Sequence, residues 1–203
     1  MAQVITQQQM PPAYRQVRWW ILALLFSVTV INFVDRLTLA YVAPVLKQTF
    51  NLSNTDYGFI ISWFLLGMMI GEFPMGWLMD RKGPKVGFSF AVLWWSIATA
   101  LHAVGQTRWQ FSLFRFWMGT GECANYSGGV KVIGQWFPAR ERALATGVMN
   151  GASLVGNMIT PPLIVYLLTR FNWHTAFLIP AALGFVWVFF GASFIMRPKT
   201  TRE

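Results

Sequence analysis

The amino-acid sequence predicts an all-α integral membrane protein with six transmembrane helices. Three observations lead there. Charged residues make up 11% of the 203-residue chain, against about 25% in average soluble chains, which is too few to cover a soluble surface. Apolar runs of bilayer-spanning length recur along the whole sequence. The sixteen Lys and Arg residues separate those runs instead of forming one basic face.

A membrane helix needs about 20 mostly apolar residues. Segments 19–42, 57–79, 86–104, 109–133, 143–168 and 173–196 each meet that length. One or two such runs can hide inside a soluble core; this many cannot. A membrane β-barrel is excluded because its strands alternate apolar and polar residues, and these runs do not alternate. The connections are short, so sequence neighbours are expected to be antiparallel neighbours. Residues 1–14 contain no basic residue but carry Gln7, Gln8, Gln9, Pro11 and Pro12. They read as a disordered cytoplasmic tail and not as a secretory signal. Residues 15–198 form the six-helix domain, and 199–203 a cytoplasmic tail or the start of an interrupted central linker.

Lys and Arg set the orientation. Arg15, Arg18, Arg81, Lys82, Lys85, Arg140, Arg142, Arg197, Lys199 and Arg202 lie on one side. Only Lys47, Arg108 and Arg170 lie on the other. Both termini are therefore expected in the cytoplasm. The net charge of +9 belongs to membrane loops and not to a nucleic-acid surface, which needs a continuous basic face. Cys123 is the single cysteine, so no disulfide forms within the chain, and it reads as a packing residue.

Asp35, Arg36, Glu72, Arg115 and Glu122 fall inside predicted helices. Each costs roughly 2.5–3.5 kcal/mol at a helix centre, so five unpaired would cost roughly 12–18 kcal/mol. They must pair or face water, and such residues mark ion pathways and substrate sites. At about 1.5 Å per residue, Arg36 and Arg115 reach similar depths, which makes Asp35 and Arg115 an expected pair. Glu122 lies seven residues beyond Arg115, on the same face and near the midplane. Asn32, Asp35 and Arg36 share a face of the first segment, as Glu122, Asn125 and Tyr126 do on the fourth. If all five charges share one cavity, three acids and two Arg give −1. Like charge and desolvation then favour taking up an anion together with a proton.

Gly76-Trp-Leu-Met-Asp80-Arg81-Lys82-Gly83-Pro84-Lys85 resembles the cytoplasmic G-x-x-x-D-R-x-G-x-K/R signature of the major facilitator superfamily. Gly76 is expected to permit close helix approach, and Asp80 to sit at a helix amino terminus. Asn32-Phe-Val-Asp35-Arg36, Trp136-Phe137-Pro138-x-x-Glu141-Arg142, and Asn150-Gly151 through Gly156 to Pro161-Pro162 are similar to the anion:cation symporter branch. Together these matches cover the chain from Tyr14 onward. The resemblance implies one half of a major facilitator fold, built from two inverted three-helix repeats. It implies secondary active transport of a small organic anion, a sugar acid such as a hexuronate, by proton-coupled symport.

At matching positions, the resemblance implies that Arg36 binds the substrate carboxylate, with Tyr57 (or Tyr41) as a further contact beside Asn32, Asn125 and Tyr126 of the two polar helix faces. Asp35 and Glu122 become the protonatable groups, tuned by Arg115, and Gly76, Asp80, Arg81 and Gly83 the gating loop. Two positions depart from the branch: Glu72 stands where it usually has Gln or a neutral residue, and Phe33 where Tyr is commoner. Gly147, Gly151 and Gly156 are expected to pack, and Asn150 and Asn157 to line the cavity. Lys131 is expected to snorkel to the interface, and His102 and His174 to have no proton role. No cofactor, metal or nucleic acid is implied. The partners are membrane lipid, a small organic anion, a proton, and a missing carboxyl-terminal half or a second copy. The rival readings are a drug/proton antiporter half, which would not need Arg36, and a non-transporting structural subunit or truncated fragment.

Overall fold

A computed structural model describes residues 12–194, and those residues are helical apart from short connections. The elements are α1 (Pro12–Phe50), α2 (Asn54–Leu101), a 3-10 turn (His102–Val104), α3 (Arg108–Glu122), α4 (Ala124–Trp136), α5 (Ala139–Arg170) and α6 (Trp173–Phe194). Among the described residues, four helical stretches are long and apolar enough to cross a membrane: Gln16–Phe50, Asn54–Val104, Ala139–Arg170 and Trp173–Gly191. The tail expected over 1–14 is helical from Pro12, a residue type suited to a first helical turn. The rest of that tail, the stretch 199–203, and Arg197, Lys199 and Arg202 lie outside the described residues.

The six predicted segments divide differently from the helices. The second and third are joined in the 48 residues of α2, which would measure about 72 Å if straight. They do not run straight. Gly83 has φ 82° and ψ 160°, a conformation essentially confined to glycine. A Cβ placed on Gly87 would lie 3.1 Å from the Cα of Met79, although eight residues of straight helix span about 12 Å. The chain therefore reverses at Gly83, and α2 is two arms packed against each other. The fourth segment is divided into α3 and α4 at Cys123. Cys123 keeps helical dihedrals, φ −54° and ψ −32°, and its amide donates to the Gly119 carbonyl at 3.3 Å.

Two caps organise one end of the bundle. The Ser53 hydroxyl accepts from the Asp56 amide at 3.0 Å, and Asp56 accepts from the Ser53 amide at 3.0 Å. Thr107 and Gln110 make the same reciprocal box at the start of α3. Arg108 joins the two starts by an ion pair to Asp56 at 2.7 Å. At the opposite end, Arg18 on α1 meets Glu141 on α5 at 2.9 Å. Arg142 donates to the carbonyls of Gly134 and Phe137 at 2.9 Å each, satisfying groups left open where α4 stops. The Trp136-Phe-Pro-x-x-Glu-Arg stretch thus ties α4, α5 and α1 together.

Glycines set the closest helix contacts. A Cβ on Gly67 or Gly71 would strike the backbone of Phe116 or Thr120, so the first arm of α2 lies flush on α3. Gly156 rests on Phe33 and the Val30 carbonyl, which brings α5 onto α1. Gly76, Gly147 and Gly151 have no atom within 4 Å of a built Cβ, so their expected packing role is not met within the described residues.

The core is split in two. One apolar cluster takes Ile21, Leu25 and Val28 from α1 with Phe88, Trp95, Met149 and Trp187. The other takes Leu39, Val42 and Leu46 from α1 with Phe111, Ile164 and Phe177. Between them α1 carries Asn32, Asp35 and Thr38, all fully buried. That polar layer positions the site.

Candidate functional site

Thr29, Asn32, Phe33 and Arg36 follow the i, i+3, i+4, i+7 spacing of one helix face and line a cavity of about 230 Å³. Met68 from α2, Glu122, Cys123, Asn125 and Tyr126 from the α3–α4 junction, and Met149, Asn150 and Ser153 from α5 complete its wall. Arg36 Nε donates to Glu122 Oε2 at 2.9 Å, and Arg36 Nη2 to Asn32 Oδ1 at 3.5 Å. The Arg36 side chain is 29% exposed while the Glu122 side chain is wholly buried. The end of the Arg36 fork therefore remains available to the cavity, in the geometry that binds carboxylates bidentately.

Aromatic rings hold the guanidinium. Arg36 Cζ lies 5.1 Å from the Phe33 ring centroid and 5.3 Å from that of Phe64. Arg115 Cζ lies 5.5 Å from the same Phe64 ring, so this ring is shared by both cations. Thr29 and Asn125 form a hydrogen-bonded pair across α1 and α4 at 3.3–3.4 Å. Glu122 Oε1 and Asn32 Nδ2 have no partner among the described residues, which leaves one acceptor and one donor beside Arg36.

Arg115 is 2% exposed and lies behind this wall. Both its Nη atoms donate to the Arg36 backbone carbonyl at 3.2 Å. The depth expected from helix rise is met, but the expected Asp35–Arg115 pair is not formed. Arg115 spends its fork on a backbone oxygen instead. Asp35 is 1% exposed, and neither of its oxygens accepts a hydrogen bond of good geometry. The Trp95 indole lies beside it, with Nε1 also unpartnered.

Other expectations are corrected by placement. Tyr57 does not line the cavity; it packs on the apolar cluster around Val42 and Phe111, with Lys47 Nζ 4.7 Å from its ring. Tyr41 is not among the cavity residues either. Glu72 is exposed on the first arm of α2, among exposed Leu65, Met69 and Phe73, so it does not join the other four charges. Without it, two acids and two Arg balance to zero, and the expected sum of −1 is withdrawn. Asn150 lines the cavity but Asn157 does not, because Asn157 is exposed on another part of α5.

The signature loop is also built differently. Asp80 lies just before the Gly83 break, near the end of the first arm and not at a helix amino terminus. There it forms an ion pair with Lys131 of α4, so Lys131 does not simply snorkel. Arg81 stacks over Trp77, with Cζ 4.7 Å from the ring centroid. Thr29, Met68, Met149, Ser153 and Phe64 were not anticipated. Thr29 had a readable signal, since it lies three residues before Asn32 on the same helix face. The others are ordinary apolar or small residues until packing selects them.

The Major Facilitator Superfamily model matches residues 25–203. The hexuronate transporter of Escherichia coli (strain K12) is 31% identical over 186 residues, which is 92% of this chain and 43% of that protein. The galacturonate transporter of Dickeya chrysanthemi is also 31% identical over 186 residues, 92% of this chain and 54% of that protein. The chain thus spans about half the length of the curated relatives it matches. Among solved structures, a bacterial homolog of the human lysosomal transporter Spinster, in an inward-facing and unoccupied conformation, aligns with TM-score 0.77. It is 22% identical and covers 92% of this chain and 44% of that one. The proton:xylose symporter XylE aligns with the same TM-score at 16% identity, covering 86% and 44%.

Proposed function

The chain belongs to the major facilitator superfamily, and on that premise we propose that it is the amino-terminal half of a proton-coupled symporter for a sugar acid such as a hexuronate. Its relatives are transporters and not enzymes, and it is an integral membrane protein.

The observation that carries the substrate class is Arg36, which points its open fork into a cavity lined by hydrogen-bonding side chains. Asn32, Asn125 and Tyr126 surround it and suit the hydroxyls of a sugar acid. Proton coupling follows from charge. With Asp35, Glu122, Arg36 and Arg115 ionised the site is neutral, and a bound carboxylate brings it to −1. Taking up one proton on Asp35 or Glu122 restores neutrality in surroundings of low dielectric constant, where unbalanced charge is expensive. Arg36 also counts against the drug/proton antiporter reading, because a cationic substrate gains nothing from a guanidinium in its pocket.

Six membrane crossings follow if α2 counts as two and α3 with α4 as one. The packing supports two inverted repeats. α1 lies on α5, and the first arm of α2 lies on α3. These pairs exchange under an axis relating the first three segments to the last three, as in such repeats. The Lys and Arg distribution supports cytoplasmic termini. The gating loop of Gly76, Asp80, Arg81 and Gly83 lies at the reversal of α2. The unpacked Gly76, Gly147 and Gly151, with Glu72 on the exposed first arm of α2, belong to the surface that a carboxyl-terminal half or a second copy would cover.

The test is uptake of labelled galacturonate into vesicles under an inward proton gradient, with a carboxyl-terminal six-helix half supplied in trans. Saturable, gradient-dependent uptake that is lost in Arg36→Ala is expected. Uptake unaffected by Arg36→Ala would sink the proposal.

A further inference from the structure

We propose that His102 loads the proton that reaches Asp35, taking it up from the end of the bundle that carries the Ser53 and Thr107 caps. This inference rests on the proton-coupled reading above and adds a residue and a route to it.

His102 ends the second arm of α2 and is 1% exposed. Its Nδ1 lies 2.7 Å from the Ala98 carbonyl oxygen. A carbonyl only accepts, so Nδ1 carries the hydrogen and Nε2 is left as a lone-pair acceptor. Nε2 has no partner among the described residues. The ring cannot turn to find one. It stacks on Phe177 at 5.2 Å and 20°, with Phe114 at 5.8 Å and Phe111 at 6.3 Å.

Unpartnered polar atoms continue inward from this ring. Arg115 is within electrostatic range of both His102 and Asp35, and its Nε is unpartnered. Trp95 lies seven residues before His102, hence on the same face and about 10 Å along the helix. It lies beside Asp35, and its Nε1 is unpartnered too. Buried polar groups of this kind are ordinarily satisfied by ordered water, and the proposed proton route runs along them between α1, the second arm of α2 and α3. At its other end, Ala103, Val104, Gly105 and Gln106 line an open cavity of about 670 Å³ with Phe50, Trp173 and His174. Solvent therefore reaches the residue next to His102.

The chemistry is constrained by the Ala98 contact. Nδ1 is tied to a carbonyl and cannot pass its proton on, so the ring must gain and release the proton at Nε2. An N–H bond forms there with a proton carried by water, and breaks again as the proton leaves on water toward the Asp35 carboxylate. Asp35, which has no ion-pair partner among the described residues, is the acid that receives it. Glu122, the other acid near Asp35, is already held by Arg36.

The experiment is infrared spectroscopy of the full chain in lipid vesicles. With galacturonate present, so that the site holds its proton, the acid carbonyl stretch of Asp35, identified by its loss in Asp35→Asn, is followed after a pulse of heavy water. In His102→Phe its deuterium exchange is expected to slow by roughly tenfold or more. His102→Gln, which restores a buried acceptor but not the ring, is expected to regain part of that rate. Should His102→Phe lose its helical circular dichroism, His102→Leu replaces it in the comparison. A folded Phe or Leu variant that exchanges as fast as the parent overturns the proposal, as does a Gln variant no faster than Phe, which would mean that the ring only packs. Absence of any Asp35-dependent acid band overturns the proton-site reading itself. An Asp35 band with unaltered exchange overturns the His102 route alone.

Discussion

Glu122 and Asp35 are both buried carboxylates in the same polar layer, yet their surroundings differ. Glu122 forms the cavity wall and holds Arg36 at 2.9 Å. Asp35 lies behind that wall with no hydrogen bond of good geometry to either oxygen. A guanidinium at hydrogen-bond distance offsets the cost of burying a carboxylate, and of the two only Glu122 has one. The difference assigns two tasks within one layer. In the proposed symport Glu122 would organise the anion-binding guanidinium, and Asp35 would be the group that gains and loses a proton.

That comparison can be broken by substitution. The largest effect is expected for Arg36→Ala, which strands Glu122. Removing one partner of a buried ion pair costs about 3–5 kcal/mol, so thermal unfolding in detergent at neutral pH should move sharply down. Recovery in acid is expected, as Glu122 becomes protonated. Asp35→Asn should by contrast leave unfolding nearly unchanged or raise it, because a carboxylate without a partner is removed. Equal losses in Arg36→Ala and Asp35→Asn would show that the two acids are not distinct.

A double-mutant cycle sharpens the same point. Arg36→Ala and Glu122→Gln should be coupled by about 0.5–3 kcal/mol, while Arg36→Ala and Asp35→Asn should add. A comparable contrast exists among the glycines. Gly67→Ala places a Cβ on the Phe116 carbonyl and should cost about 1–3 kcal/mol through overpacking. Gly151→Ala meets open space and should leave the stability of the isolated chain unchanged. The smallest effect is expected for Lys131→Ala. Its ion pair with Asp80 is partly exposed, so its removal should change stability by about 0–1 kcal/mol.

Much of the site was legible along the chain. Asn32 and Arg36 on α1, and Glu122, Asn125 and Tyr126 across the α3–α4 junction, whose Cys123 keeps helical dihedrals, are found together in the cavity because helical spacing places them on common faces. Their depths were also readable, since a rise per residue needs no tertiary information. What failed were statements about partners. The Asp35–Arg115 pair gave way to Arg36–Glu122 because similar depth does not say which way a side chain turns. Glu72 was counted with the cluster because its position along α2 is suitable, but its rotation about the helix axis faces outward. The resemblance suggests Tyr57 as a contact without fixing its place, and packing takes it into an apolar cluster. The position of His102 near a helix end gives no sign of its surroundings, because its stacking partner Phe177 comes from α6, 75 residues further along the chain.

The sequence by itself determined that this chain is a membrane protein, how its apolar segments are spaced, and which charges fall between lipid-facing stretches. Those are properties of composition and of a one-dimensional repeat, set by the thickness of the bilayer and the cost of charge within it. It also determined that the chain turns back between segments 57–79 and 86–104, because the apolar run is interrupted there by Asp80, Arg81, Lys82 and Lys85. Only the tertiary structure decided which carboxylate pairs, which lies unpartnered, and which glycines are contact points. Ion pairs and close helix approaches depend on azimuth and on the few ångströms between neighbouring helices, and those are fixed only when all the helices pack at once.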